Sequence, residues 1–89
     1  MVQIAWARRA LRDISEIQTY IGQFDPHAAN AYVEKLRAAA NNLTDFPNRG
    51  RKVGSNLREL VIVPPYVIRY RLTATTVYIT RIKHGRQLR

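Results

Sequence analysis

His84 carries the side chain whose ordinary pKa lies nearest neutrality, and it stands among Arg81, Lys83 and Arg86. A histidine in such a cluster can protonate a leaving oxygen while the cations hold charge on a phosphate. The same four residues can also do no chemistry and bind an anionic surface through charge-assisted hydrogen bonds. Upstream, Arg69 and Arg71 alternate within YVIRYRL, a segment of strand-like period, so both project from one face. Arg49, Arg51 and Lys52 lie in the glycine- and asparagine-bearing stretch NRGRKVGSN, which reads as a loop able to clamp phosphate. Ordinary loop solubility accounts for that cluster equally well. His27 falls in the first turn of a helix, where the dipole disfavours a cation, and reads as a surface residue.

The charge that surrounds these residues is unevenly distributed. Residues 1–46 carry five basic and five acidic side chains, whereas residues 47–89 carry ten basic ones against a single acid, Glu59, so the formal net charge of +9 sits in the second half. Such a surface suits an anionic partner: nucleic acid, an acidic protein segment, or both in competition. The chain has no cysteine, which excludes a disulfide framework and a zinc–thiolate site; no metal and no cofactor are expected. The opening MVQIAWARRAL lacks the pattern of a signal peptide, and no apolar run is long enough to span a bilayer. A soluble, cytoplasmic protein with no membrane partner is the expectation. Eighty-nine residues suffice for one domain, 1–89, and one core.

The elements that must position the candidate residues follow from periodicity. Val2–Trp6 suits a first strand. Leu11, Ile14, Ile17, Ile21 and Phe24 recur at helical spacing, with Arg12, Asp13, Glu16 and Gln18 between them as the polar face. Asp25-Pro26 starts a second helix, with Asp25 as N-cap and Pro26 at the first helical position. Phe24 and Ala29 are spaced for a hydrophobic staple. The second helix presents Ala29, Tyr32, Val33, Leu36, Ala39, Ala40 and Leu43 on one face and should stop at Phe46-Pro47. Three strands follow, over Leu57–Ile62, Tyr66–Leu72 and Thr76–Lys83. In the middle one Ile68, Tyr70 and Leu72 belong under the helices, while Val67, Arg69 and Arg71 share the open face, because two unpaired guanidinium groups are too costly to bury. Trp6, Tyr20, Tyr32 and Tyr70 read as core or core-edge residues; Tyr66 and Tyr78 stay open to base stacking. The expected fold is α+β: an N-terminal strand and an antiparallel helical hairpin packed on one face of a small, mainly antiparallel sheet, in the order β-α-α-β-β-β.

This element order, together with ARRALRDISEIQTYI, FPNRGRKVG, LRELVI, PYVIRYRL and VYITRIKHGR, resembles the RelE/ParE superfamily of bacterial toxins from type II toxin–antitoxin systems. The stretches cover almost the whole chain in the right order. The resemblance implies a toxin neutralised by a cognate antitoxin, whose acidic, partly disordered segment folds onto it. It leaves the target open: RelE-type members are ribosome-dependent messenger RNA endonucleases, and ParE-type members poison DNA gyrase.

The RelE-type cluster of lysines and arginines is mostly missing. Arg58 matches one basic position of the family, but Leu60 occupies the next, Val67 replaces the arginine after Tyr66, and no tyrosine follows Tyr78. A nuclease would have to rely on Arg58, Arg81, His84 and Arg86, with the ribosome and mRNA as partners; some nuclease relatives do use a C-terminal histidine. The ParE-type pattern needs only a binding surface, here Arg69, Arg71, Arg81, Lys83, His84 and Arg86, and its arginine-rich middle strand and HGR ending are present. DNA gyrase is therefore the expected target. A non-toxic nucleic-acid-binding module is the third expectation.

Overall fold

The computed structural model describes residues 1–61 and 63–85. Strand β1 (Gln3–Trp6) leads into helices α1 (Arg8–Gly22) and α2 (Pro26–Asn42), followed by β2 (Arg51–Gly54), β3 (Leu57–Leu60), β4 (Tyr66–Leu72) and β5 (Thr76–His84). The strands form one sheet in the order β1-β5-β4-β3-β2. β1 runs parallel to β5 and the remaining neighbours are antiparallel. The helices cover one face, as expected.

The helical hairpin forms where its local signals lie. Asp25 accepts from the amides of His27 and Ala28 (3.0 and 3.1 Å), satisfying two donors that have no partner within the helix. Ala29, Val33, Leu36, Ala39, Ala40 and Leu43 are buried. The helix ends at Asn42, before Phe46-Pro47, in overlapping turns from Leu43 to Phe46.

The buried side of α1 is rotated from expectation. Ala10, Asp13 and Ile14 are buried and Ile17 and Ile21 pack beside them, while Leu11 faces outward. Asp13, placed on the polar face by sequence, is only 4% exposed. The staple between Phe24 and Ala29 does not form: Phe24 is 74% exposed and meets the ring of Tyr20 edge-on at 5.6 Å. Tyr20, expected at the core, is likewise exposed. A single turn of the chain at Gly22–Asp25 carries Phe24 past the core side, and Ala29 packs close to Gly22 instead.

The sheet has one strand more than expected. Residues 51–54, read as loop, pair with β3 as a hairpin through a bulge, and Asn56 turns the chain at φ 60°, a left-handed conformation that asparagine tolerates. All four β2 residues are exposed, so no alternation of apolar residues marked them as a strand. β3 ends at Leu60, and Ile62 lies outside the described residues. On β4, Ile68 and Tyr70 are buried in the core and Arg71 is exposed. Val67 is also buried but stands outside the main core cluster.

Two irregularities set up the candidate site. Gly50 lies so close to Tyr70 that an added Cβ would sit 2.6 Å from its hydroxyl. That hydroxyl accepts from the Gly50 amide (2.9 Å) and donates to the Pro47 carbonyl (2.7 Å), tying the 47–50 segment to the sheet. On β5, Ile79 is opposite Tyr70 and Arg81 opposite Arg69, which leaves Thr80 as an extra residue. This bulge lets both Ile79 and Ile82 enter the core, which strict alternation forbids, and re-aims the residue next to it, Arg81.

Candidate functional site between α1 and the end of β5

β1 pairs with β5 only as far as Trp6 opposite Ile79, and the Ala7 amide still reaches the Ile79 carbonyl (2.9 Å). The chain then enters α1 while β5 runs on to His84, leaving the outer edge of β5 beyond Ile79 without a strand partner among the described residues. Asp13 fills that position. Its Oδ2 accepts from the Ile82 amide at 2.9 Å and from Arg81 Nε at 2.8 Å; Oδ1 receives Arg9 Nε at 3.3 Å and Arg81 Nη2 at 3.4 Å. A buried carboxylate is tolerable only with such partners.

Beside this junction lies a cleft of about 610 Å³, lined among others by Arg9, Glu16, Tyr20, Tyr66, Arg81 and His84. Tyr66 is opposite His84 in the β4–β5 register, with the two rings edge-on at 5.9 Å, and Tyr32 meets the other side of Tyr66 at 5.9 Å. Burial, and then the neighbouring hydroxyls of Tyr32 and Tyr20, raise the Tyr66 pKa above its ordinary value, so it is a donor rather than a phenolate at neutral pH. Tyr66 is thus buried structure at the cleft wall, not an open stacking residue.

Of the residues a nuclease would use, Arg81 and His84 line this cleft, whereas Arg58 stands apart from them. Arg58 stands opposite Tyr70 and donates to the carbonyls of Asn48 (3.2 Å) and Gly50 (2.9 Å). His84 stands opposite Tyr66, about 13 Å further along β4 at the usual rise of a strand. Arg81 is held by Asp13, and Arg86 lies outside the described residues.

The target-binding candidates occupy different places. Arg69 makes two hydrogen bonds to Glu59 Oε2 (2.7 and 3.1 Å), and Arg51 approaches the other oxygen at 3.5 Å. Arg71 is exposed between Leu57 and Tyr78 in cross-strand register, and Lys83 is opposite Val67. The basic cluster of 49–52 is spread rather than gathered. Arg49 donates to Asn42 Oδ1 (2.7 Å), while Arg51 and Lys52 are successive strand residues opposite Glu59 and Arg58 and point to opposite faces. Among the described residues no three His, Asp or Glu side chains converge as metal ligands, and no helix is long and apolar enough to cross a membrane.

Sequence reasoning missed Asp13, Glu59 and the Tyr66 cleft wall. The available signal for Asp13 was its place beside Ala10, Ile14 and Ile17, on one helical stripe.

A two-helix hairpin on one face of this sheet, with a basic second half, is the architecture that the resemblance to the RelE/ParE superfamily implies. Residues 4–89 match the family described as ParE toxin of type II toxin-antitoxin system, parDE. The chain belongs to that family. It is 49% identical over 88 residues to Toxin RelE2 of Caulobacter vibrioides, covering 99% of this chain and 100% of that one. Toxin RelE1 of the same organism is 43% identical over 84 residues, covering 91% and 90%. In structure the chain is similar to one from the chromosomal ParDE TA system of P. aeruginosa, with TM-score 0.82 and 21% identity over 94% of this chain and 96% of the other. YafQ from E. coli strain BL21(DE3) matches with TM-score 0.71 and 16% identity over 99% and 98%. These two likenesses concern the fold alone.

Proposed function

We propose that this type II toxin acts in the cytoplasm by binding DNA gyrase, and that a cognate antitoxin with an acidic, partly disordered segment holds it inactive. The observation that carries this reading is the commitment of Arg58 and Arg81 to partners inside the fold, loop carbonyls for one and Asp13 for the other. Arg58 stands away from His84, and Arg81, though it lines the same cleft as His84, is already paired with Asp13, so the two do not supply the free phosphate-stabilising cations that RNA cleavage requires. A binding toxin needs only a persistent, complementary surface, and exposed Arg71 and half-exposed Lys83 offer one.

The antitoxin reading rests on charge and on apolar surface together. With ten basic residues against Glu59 after residue 46, an acidic segment is drawn in electrostatically. Leu11, Tyr20 and Phe24, exposed along and just beyond α1, supply the apolar anchors that repay the ordering of a disordered segment. The ParDE and YafQ relatives include chains solved in toxin–antitoxin complexes, which supports a partner of this kind here.

A RelE-like, ribosome-dependent messenger RNA endonuclease is the second reading. It is favoured by the names of the Caulobacter relatives and by His84 at the cleft beside Tyr66. Induced expression without antitoxin separates the readings: on the first, plasmid supercoiling fails before protein synthesis, and on the second the order reverses. Harmless expression would leave only the non-toxic nucleic-acid-binding module.

A further inference from the structure

The two edges of the sheet differ in charge. β2, at one end of the strand order, is exposed along its length and carries Arg51, Lys52 and a bulge, features that keep a free edge from pairing with its own kind. β1, at the other end, reads QIAW, with no charge and no proline. Its ladder with β5 uses the odd-numbered residues: the Gln3 amide reaches the Thr75 carbonyl (2.9 Å) and the Ala7 amide that of Ile79 (2.9 Å). Successive strand residues turn their backbone groups to opposite sides, so Val2, Ile4 and Trp6 turn theirs outward. At Val2 these groups are taken by Thr44, whose carbonyl accepts from the amide at 3.2 Å and whose hydroxyl donates to the carbonyl. The outward amides and carbonyls of Ile4 and Trp6 have no protein partner among the described residues.

We propose that the free edge of β1 pairs two copies of this chain, strand against strand and antiparallel, about a twofold axis at Ala5. A register that sets Ile4 of one copy opposite Trp6 of the other is its own complement: the axis repeats the pair and closes four hydrogen bonds, two for each pair. Ala5 then meets Ala5 in a non-hydrogen-bonded pair, about 4.5 Å apart at Cα, and its methyl group admits that approach. Ala5 is in register with Tyr78, which is 45% exposed on the face away from the helices, because Val77 and Ile79 beside it are fully buried. The tyrosines of the two copies therefore flank the alanine pair. On the other face Ile4 and Trp6, half-buried against the core, cover each other across the axis. Charge selects this occupant. β1 itself has no cation for an acidic segment to pair with, and such a segment is better served by the basic half of the chain. A second copy meets no like charge along β1, whereas at β2 the cations of two copies would face each other. The contact is small, of the weak class below about 1,200 Å², and the net charge of +9 on each copy opposes it. Salt screens that repulsion, so association strengthens as salt rises. The pairing requires neither gyrase nor antitoxin, so it can fail while those readings stand, and the reverse.

The test uses the purified full chain, which has no cysteine. Ala5→Cys places a single thiol at the axis, with the two Cα atoms inside the disulfide range of about 4.4–6.8 Å. Under a mild oxidant it should form the linked dimer roughly tenfold faster or more than two exposed controls, Ser55→Cys in the β2–β3 turn and Phe24→Cys at the end of α1, because pairing raises the effective thiol concentration. Sedimentation velocity of the wild type from about 10 to about 500 μM, the range of a weak complex, should show dimer rising with concentration, and rising again from about 50 to about 500 mM salt. Ala5→Lys and Ala5→Glu set like charges directly opposite, so each alone should be monomeric and their mixture should associate. Folding of the variants is checked by circular dichroism and urea midpoint. A wild-type protein that stays monomeric throughout overturns the proposal. So does Phe24→Cys linking as fast as Ala5→Cys, which would move the contact to the helices, and so does a dimer that weakens as salt rises.

Discussion

The Asp13 carboxylate receives the Arg81 guanidinium at 2.8 Å across 68 residues of sequence, and the neighbouring Ile82 amide at 2.9 Å. One side chain thus completes the edge of β5 where β1 ends and fixes the helical hairpin to the sheet.

Asp13→Ala should therefore destabilise the protein more than Arg81→Ala. It leaves both the guanidinium and a buried amide without their acceptor, whereas loss of Arg81 leaves Asp13 bonded to Ile82 and Arg9. Breaking a buried pair typically costs about 3–5 kcal/mol. Arg81 retains 29% side-chain exposure and can reach water, so about 2–3 kcal/mol is expected for Asp13→Ala. Urea unfolding of both single variants and the double variant measures this, and non-additivity should confirm the coupling.

The same geometry divides residues the sequence grouped together. Arg81→Ala should lower toxicity through stability, with an earlier urea midpoint, whereas Lys83→Ala should lower it in a folded protein of near wild-type midpoint. Surface substitutions away from such networks usually stay within about 0.5 kcal/mol. Equal midpoints for the two variants would contradict the structural role of Arg81.

Gly50 and Tyr70 form a second junction. Gly50→Ala forces its methyl against a hydroxyl that is fully buried and bonded on both sides, at an expected cost of about 1–3 kcal/mol. Tyr70→Phe relieves the crowding but strands the Gly50 amide, for about 1–3 kcal/mol. The double variant should be less destabilised than the sum of the two, as read from urea midpoints.

Alkaline pH should weaken the fold. Burial raises the pKa of both Tyr66 and Tyr70 above the ordinary 10.0, and for Tyr70 this outweighs the lowering by the Gly50 hydrogen bond and Arg58. The unfolded chain releases these protons near pH 10 while the folded chain still holds them. Stability is then unaffected by these groups below about pH 10 and falls as pH rises from there through the folded values. Tyr66→Phe should make the decline shallower in unfolding measured from pH 8 to 11.

Much of the fold was legible because its signals are local. Asp25-Pro26 specifies a helix start by its own chemistry, and the alternation of Tyr66–Leu72 specifies a strand. β2 was not legible: its exposed residues have no apolar face, and only pairing with β3 makes them a strand. Ile79 and Ile82 both read as core residues and are, but the bulge at Thr80 that lets them share one face is a tertiary event that nothing in ITRIKH reveals. Asp13 looked like one polar-face residue among several, because its partners lie at the other end of the chain. For the site, the cations themselves were legible but their allegiance was not. Arg58, Arg69 and Arg81 look equivalent in sequence, yet they serve loop carbonyls, Glu59 and Asp13 respectively.

His84 distinguishes binding from catalysis within the cleft. For a binding toxin, His84→Ala should reduce toxicity modestly, and higher expression should restore it. A general acid would instead lose roughly 10²–10⁴-fold in rate with binding retained, which extra protein cannot efficiently restore.

The most direct measurement places purified, antitoxin-free protein with DNA gyrase and relaxed plasmid, and in parallel with ribosomes carrying messenger RNA. Loss of supercoiling, or accumulation of the cleaved gyrase–DNA complex, with the messenger intact is the expected result. Cleavage of the messenger in the ribosomal A site with gyrase unaffected would contradict it.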